Sequence, residues 1–179
     1  MTLRKLSTSE IARPEPAELV GASRHPIVVV VENVRSAYNV GSILRTADAL
    51  MVRHVYLTGF TPPGDHRGVH KSALGAQDTV PWSHARDSVA ILDALRRDGY
   101  CVAAAEITDS PSTAQDLDPG HFPLALVLGN EIEGVSESAL ERCHLALELP
   151  QFGAKHSLNV AVAFGVIGYD LVRRWHHLN

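Results

Sequence analysis

Three short stretches carry residues whose types and spacing could do chemistry. The first, Asn33 to Asp48, holds Asn39 and, six residues on, Arg45. An asparagine can cap a helix, a helix N-terminus offers unpaired N–H groups to an anion, and a guanidinium is a planar fork suited to phosphate. The second, Leu128-Gly129-Asn130-Glu131-Ile132-Glu133-Gly134-Val135-Ser136, follows an apolar run. Its two glycines allow close backbone approach to a ligand or a positive φ, and Ser136 suits the cap of a short helix. It is not a GxGxxG and lacks the Lys-Ser/Thr of a phosphate loop, which argues against ATP. The third runs from Leu149 to Asn159 and opens the last helix. Ser157 reads as that helix's N-cap, and Asn159 sits in its first turn, where the amide can point at a ligand. Taken singly, each stretch is explained as well by capping and turn chemistry, with Arg45 an ordinary surface arginine.

The elements that must hold these stretches alternate between strand and helix. The β-branched run Ile27–Val31 predicts a strand buried on both faces. Val52–Leu57, Tyr100–Ala105 and Phe122–Leu128 predict further strands, and a short one falls around Ala146–Leu149. Helical spacing covers Asn39–Leu50, with Ile43, Leu44, Ala47 and Leu50 able to share a face. A second helix spans Asp87–Asp98 and stops at Gly99, a short one follows Ser136, and a long apolar one runs from Ser157 to Trp175. Thr61–Asp65 reads as loop. Such alternation predicts an α/β fold with a largely parallel sheet, and ligands in such sheets sit at the carboxyl ends of strands, where all three stretches lie. Residues 1–24 read as a polar extension that Pro14 and Pro16 interrupt, and 25–179 as one domain.

Composition narrows the classes. At 179 residues, 45% hydrophobic and 20% charged, the chain has room for one buried core and shows no sign of disorder. No apolar run is long enough for a membrane span, and no apolar segment follows the basic start as in a secretory signal. Cys101 and Cys143 have no CxxC spacing, which fits a reducing compartment, so a cytoplasmic protein is expected. His66-x-x-x-His70 has helical metal spacing but no third ligand nearby, so no metal is expected. His176-His177 reads as a frayed terminus. The net charge of −4 hides a split: residues 1–71 hold nine Lys/Arg against six Asp/Glu, the remainder seven against fourteen. The first part is therefore the candidate face for a phosphate backbone, through Arg4, Lys5, Arg13, Arg24, Arg35, Arg45, Arg53, Arg67 and Lys71.

The order of the three stretches adds a resemblance. Asn39…Arg45-Thr46-Ala47-Asp48, Gly129-Asn130-Glu131…Gly134-Val135-Ser136 and Leu149-Pro150…Ser157-Leu158-Asn159-Val160-Ala161 together resemble the SpoU/TrmH-type branch of the SPOUT RNA methyltransferases, over roughly Pro26 to Trp175. The resemblance implies a single-domain knotted SPOUT fold over 25–179, a mostly parallel sheet flanked by helices with a C-terminal deep trefoil knot. It implies a methyl donor, S-adenosylmethionine, leaving as S-adenosylhomocysteine and needing no metal. Ala105, Glu106, Leu128, Gly129, Asn130, Gly134, Leu149, Gly153, Ser157 and Leu158 would bind that donor. Asn39, Arg45, Glu131, Ser157 and Asn159 would be the catalytic set, at the interface of a homodimer. The acceptor implied is a ribose 2′-hydroxyl of structured RNA, tRNA favoured over rRNA. A non-catalytic RNA-binding homologue and a base methyltransferase of the same superfamily are the alternatives. Because guanidinium is hardly ever deprotonated, Arg45 is expected to act electrostatically, with Asn39 and Asn159 orienting the reactants and Glu131 holding the arginine or its loop.

Overall fold

The computed structural model describes residues 3–179; Met1 and Thr2 of the 1–24 extension lie outside the described residues. The extension forms two 3₁₀ turns, Thr8–Glu10 and Pro16–Leu19. The domain elements then follow in the order β1 His25–Glu32, α1 Ala37–Ala49, β2 Val52–Thr58, α2 Arg67–Ala73, α3 Ala76–Thr79, β3 Trp82–Ala85, α4 Ser88–Arg97, β4 Cys101–Ala104, β5 Pro111–Ser112, β6 Leu124–Leu128, α5 Glu137–Leu140, β7 Leu145–Leu147 and α6 Val160–Leu178.

The seven strands form one sheet in the order β3-β2-β1-β6-β4-β7-β5, and every pairing is parallel. Both faces are covered, which is why the central strands are apolar without alternation. Val29, Val31, Leu124, Leu126 and Leu128 pack under α1 and α6 with Ile43, Leu44, Phe164 and Leu171. Val28, Val30, Val102, Ala104, Ala125 and Val127 pack under α4 and α5 with Leu92, Leu95 and Ala139. No helix among the described residues is long and apolar enough to cross a membrane.

The main strands and helices stand where the sequence puts them, with two changes at helix starts. Asn39 does not cap α1: Ser36 does, its hydroxyl accepting from the Asn39 amide at 3.3 Å. Ser157 does not cap α6 either; that helix begins at Val160, and the Asn159 side chain accepts from the amides of Ala161 (2.9 Å) and Val162 (3.4 Å). Each time a competing cap in the same turn wins, and an asparagine assigned elsewhere is redeployed. The C-terminus does not fray at His176, since α6 runs to Leu178 and the His176 ring meets that of His25 edge-on at 4.9 Å.

The stretch from Arg67 to Ala85, where the sequence predicts nothing regular, holds α2, α3 and the edge strand β3. Packing creates them. α2 lies against α1 where Gly41 has no side chain; a Cβ there would overlap the Ser72 hydroxyl and the Val69 carbonyl. Gly68 does the same opposite Ala37, and the Ser72 hydroxyl donates to the Tyr38 carbonyl at 3.0 Å. His66 serves as the α2 N-cap, its Nδ1 accepting from the Gly68 amide at 3.1 Å. We expect Gly41→Ala to overpack this contact and destabilise the domain by about 1–3 kcal/mol in urea denaturation. An unchanged midpoint would mean that α2 is not seated on α1 in this way.

Candidate functional site

β1 and β6 are parallel neighbours, with Val31 beside Leu128. Their carboxyl ends therefore release two loops side by side, 33–36 and 129–136, each with backbone amides that the sheet no longer pairs. Carboxylates fill the gap from both directions. Glu131 reaches into the first loop and accepts from the amides of Arg35 (3.0 Å) and Ser36 (3.1 Å) and from Asn39 Nδ2 (2.9 Å). Glu32, at the end of β1, reaches into the second loop and accepts from the Ser136 amide (2.9 Å) and hydroxyl (2.8 Å). Its other donor is the Ser88 hydroxyl at the start of α4, at 2.5 Å. Asn130 adds a third tie, its Nδ2 donating to the Asn33 carbonyl at 2.7 Å.

The chain of contacts continues to the third stretch. Asn159 Nδ2 donates to Asn39 Oδ1 at 3.0 Å while Asn159 Oδ1 caps α6. Glu131, Asn39 and Asn159 thus join three segments distant in sequence through one run of hydrogen bonds. Partial burial works against ionisation of Glu131, but the amide of Arg35 and the Asn39 side chain outweigh it, and the carboxyl sits below its ordinary range.

Behind this lock a cleft of about 610 Å³ opens between the ends of β4, β6 and β7 and the start of α6. Leu128, Leu147, Leu149 and Ile167 give it an apolar floor. Its ionisable lining is acidic: Glu106, Glu131, Glu133 and Glu148 beside His156, with no lysine or arginine. Glu106 also holds the cleft wall, accepting from the Val135 amide at 2.9 Å. Gly134, at φ +70°, could not carry a Cβ there without meeting the Glu106 carboxylate. The close approach that Gly129 permits is to the chain itself: a Cβ would overlap the backbone of Gly134 and Val135, which bridges back to Asn130.

Of the residues expected to bind a cofactor, Ala105, Glu106, Leu128, Gly129, Asn130, Gly134, Leu149, Ser157 and Leu158 line this cleft; Gly153 does not, and is exposed on the loop before α6. Of the five expected to be catalytic, Glu131, Ser157 and Asn159 line it. Asn39 stands outside the lining but is bonded to two of its members. Arg45 is exposed on α1 and lies apart from the cleft of its own chain. Glu131 consequently holds the loop, not the arginine. Sequence reasoning missed Glu32, Glu133, Glu148 and His156. Only Glu32 left a signal, as a charged residue closing an otherwise aliphatic strand. No group of three or more potential metal ligands occurs among the described residues.

A sequence model of the SpoU rRNA Methylase family matches residues 26–169, and the chain belongs to that family. The 23S rRNA (guanosine-2'-O-)-methyltransferase RlmB of Ralstonia nicotianae is 34% identical over 158 residues, covering 87% of this chain and 62% of that protein. Among solved structures, the SpoU methyltransferase AviRb of Streptomyces viridochromogenes, in complex with AdoMet, superposes with a TM-score of 0.77 at 25% identity, covering 87% of this chain and 63% of that one. A structure described for 2-OH methylation of C/U34 on tRNA gives a TM-score of 0.69 at 26% identity, covering 84% of this chain and 97% of that one. The chain spans about 60% of the length of the curated relatives it matches.

The lock has a pH signature. The lowered carboxyl of Glu131 makes its contribution fully present above the ordinary glutamate value of about 4.3 and lost as pH falls through the depressed value. We expect the Arg35 and Ser36 amide resonances to titrate together below that range and to shift permanently in Glu131→Gln. Amide exchange at both positions should then quicken on the order of tenfold, as for one partly screened charge-assisted hydrogen bond. Resonances that ignore both the acid and the substitution would show that Glu131 does not hold the loop.

Proposed function

We propose that this chain transfers a methyl group from S-adenosylmethionine to a ribose 2′-hydroxyl of a structured RNA. The observation that carries the reading is the cleft, which residues of the second and third motifs line, to which Asn39 of the first is tied by hydrogen bonds, and which is acidic and free of lysine and arginine. A nucleoside triphosphate would be repelled there, whereas a donor bearing a sulfonium and an ammonium is attracted. The volume lies in the range of small-molecule sites, about 300–1,000 Å³, and the apolar floor suits an adenine face. Ala105, Leu128, Gly129, Leu149 and Leu158 would hold the donor, with Glu106 fixing the wall behind it. When bound, the sulfonium supplies an activated methyl group with a good leaving group and needs no metal.

The chain's own residues supply orientation and charge. Asn39 and Asn159, each fixed through a second hydrogen bond, present amide edges that can position a ribose. Arg45 would clamp the neighbouring phosphate and stabilise the alkoxide as it develops. Its distance from the cleft of its own chain favours a homodimer in which a second copy brings the arginine to the site. The exposed stripe Val162, Val166 and Tyr169 along α6, with Leu158 just before the helix, supports such an interface. The deep trefoil knot belongs to the same reading. β7 inserts between β4 and the earlier β5, and the chain then turns back to lay α6 on the opposite helical layer. The division into an extension at 1–24 and a methyltransferase domain at 25–179 is part of it too.

For the acceptor, tRNA is favoured over rRNA, on the structure for 2-OH methylation of C/U34 on tRNA, 97% of whose chain this one covers; the RlmB relative keeps rRNA as the second choice. Labelled S-adenosylmethionine incubated with size-fractionated RNA lacking this modification, followed by nucleoside mass spectrometry, tests the reading. An alkali-resistant 2′-O-methylated nucleoside in one fraction is expected; a methylated base would reassign the acceptor, and no donor binding at all would end the enzyme reading. Arg45→Ala should leave donor binding by calorimetry intact and lower turnover on the order of a hundredfold or more, as for other lost transition-state donors. Turnover near wild type would remove Arg45 from the mechanism.

A further inference from the structure

The basic side chains of the first 71 residues divide into two groups in the folded chain. Some serve the fold: Arg4 pairs with Glu10, Arg24 donates to the Val52 and Thr79 carbonyls, and Arg53 donates to the Tyr100 hydroxyl. The other six, Lys5, Arg13, Arg35, Arg45, Arg67 and Lys71, are exposed, and among the described residues none of them forms an ion pair. Arg67 and Lys71 stand one turn apart on α2, with Cβ atoms about 5–6 Å from each other, and His70 lies on the same outward side. The inward side of α2, Val69 and Ala73, is buried, and the helix carries no Asp or Glu.

The placement of α2 gives this row a direction. Gly68 abuts Ala37 and Ser72 is bonded to Tyr38, so α2 runs along the first half of α1. The row therefore starts at the Ala37 end of α1, which follows directly in the chain on Arg35 and Ser36, whose amides Glu131 grips, and leads to Asn39. The cleft on the far side of that lock is lined by carboxylates and repels a polyanion. We propose that Arg35 and the outward face of α2, through Arg67 and Lys71, form the surface on which the phosphate backbone of a structured RNA docks, delivering a ribose to the Asn39 end of α1. The close glycine contacts between α1 and α2 hold this row rigid, so little ordering is required when RNA binds.

The inference rests on the methyltransferase reading, and the test separates the two. Fluorescence anisotropy with an end-labelled unfractionated tRNA pool, across a KCl series, compares wild type, Arg67→Gln/Lys71→Gln and a control with the same charge change on α4, Arg96→Gln/Arg97→Gln. Loss of two phosphate contacts should lower the log–log salt slope by about 2 and weaken binding on the order of tenfold or more at low salt. KM for RNA should rise while kcat, donor affinity by calorimetry and thermal stability stay near wild type; the control should match wild type throughout. An unchanged slope in the α2 variant, or an equal loss in the control, overturns the docking surface while leaving the methyltransferase reading intact. A change of oligomeric state at constant tRNA affinity makes α2 a protein contact and likewise overturns it. A wild-type protein that binds neither tRNA nor donor would bring down both readings.

Discussion

Two neighbouring parallel strands that end together leave two loops whose amides have lost their sheet partners, and everything else at this site depends on how those amides are satisfied. Water could do it, at the expense of a fixed geometry. Here carboxylates do it reciprocally: Glu32, from the strand before the first loop, holds the second loop, and Glu131, from the second loop, holds the first. Glu32 is only 2% exposed, an arrangement tolerated because three donors surround the carboxylate. Removing any donor would strand a buried charge, so the lock is cooperative. No buried side-chain polar atom lacks a partner among the described residues, which is what a rigid wall for the cleft requires.

From this lock the geometry around the cleft follows by short steps. Asn39 is available to Glu131 and Asn159 because Ser36, three residues earlier, takes over the capping of α1. Asn159 divides its amide, the oxygen capping α6 and the nitrogen reaching Asn39. The start of the last helix, which borders the cleft, is thereby tied to the start of the first. A side chain that caps a helix and contacts a second motif serves fold and site together, so a stability measurement and an activity measurement on Asn159 would report the same bond.

Much of this was legible in the sequence, and what was not has physical reasons. The central strands announce themselves because both faces are covered, and Asp87 and Ser136 cap helices as their positions suggest. The misplaced caps at Asn39 and Ser157 arise where several capping residues share one turn and only the tertiary path decides among them. Helix α2 and strand β3 carry too little periodicity to be seen; Gly41 and Gly68 create the seat for α2, and a glycine's missing side chain has no pattern of its own. The resemblance pointed to the loops of the second and third motifs, which line the cleft. The carboxylates that shape it, Glu32, Glu133 and Glu148, sit among ordinary polar neighbours, and their convergence exists only in three dimensions.

Net charge misleads here for the same reason. A sum of −4 argues against a nucleic-acid partner, yet it mixes two surfaces with opposite tasks. On the proposed reading the donor is a small cation and the acceptor a polyanion, and one uniform potential would oppose one of them. The fold resolves the conflict along the sheet. Strand ends β4, β6 and β7, from the acidic part of the chain, build the cleft, while β1, α1 and α2, from the basic part, build the surface beside it. Glu131 stands at the boundary, where its charge is spent on the amides of Arg35 and Ser36 and on Asn39. A carboxylate whose oxygens are taken up by three donors keeps its charge, but their dipoles offset part of its field, so the residue that holds the two halves together also stands where their opposite fields meet.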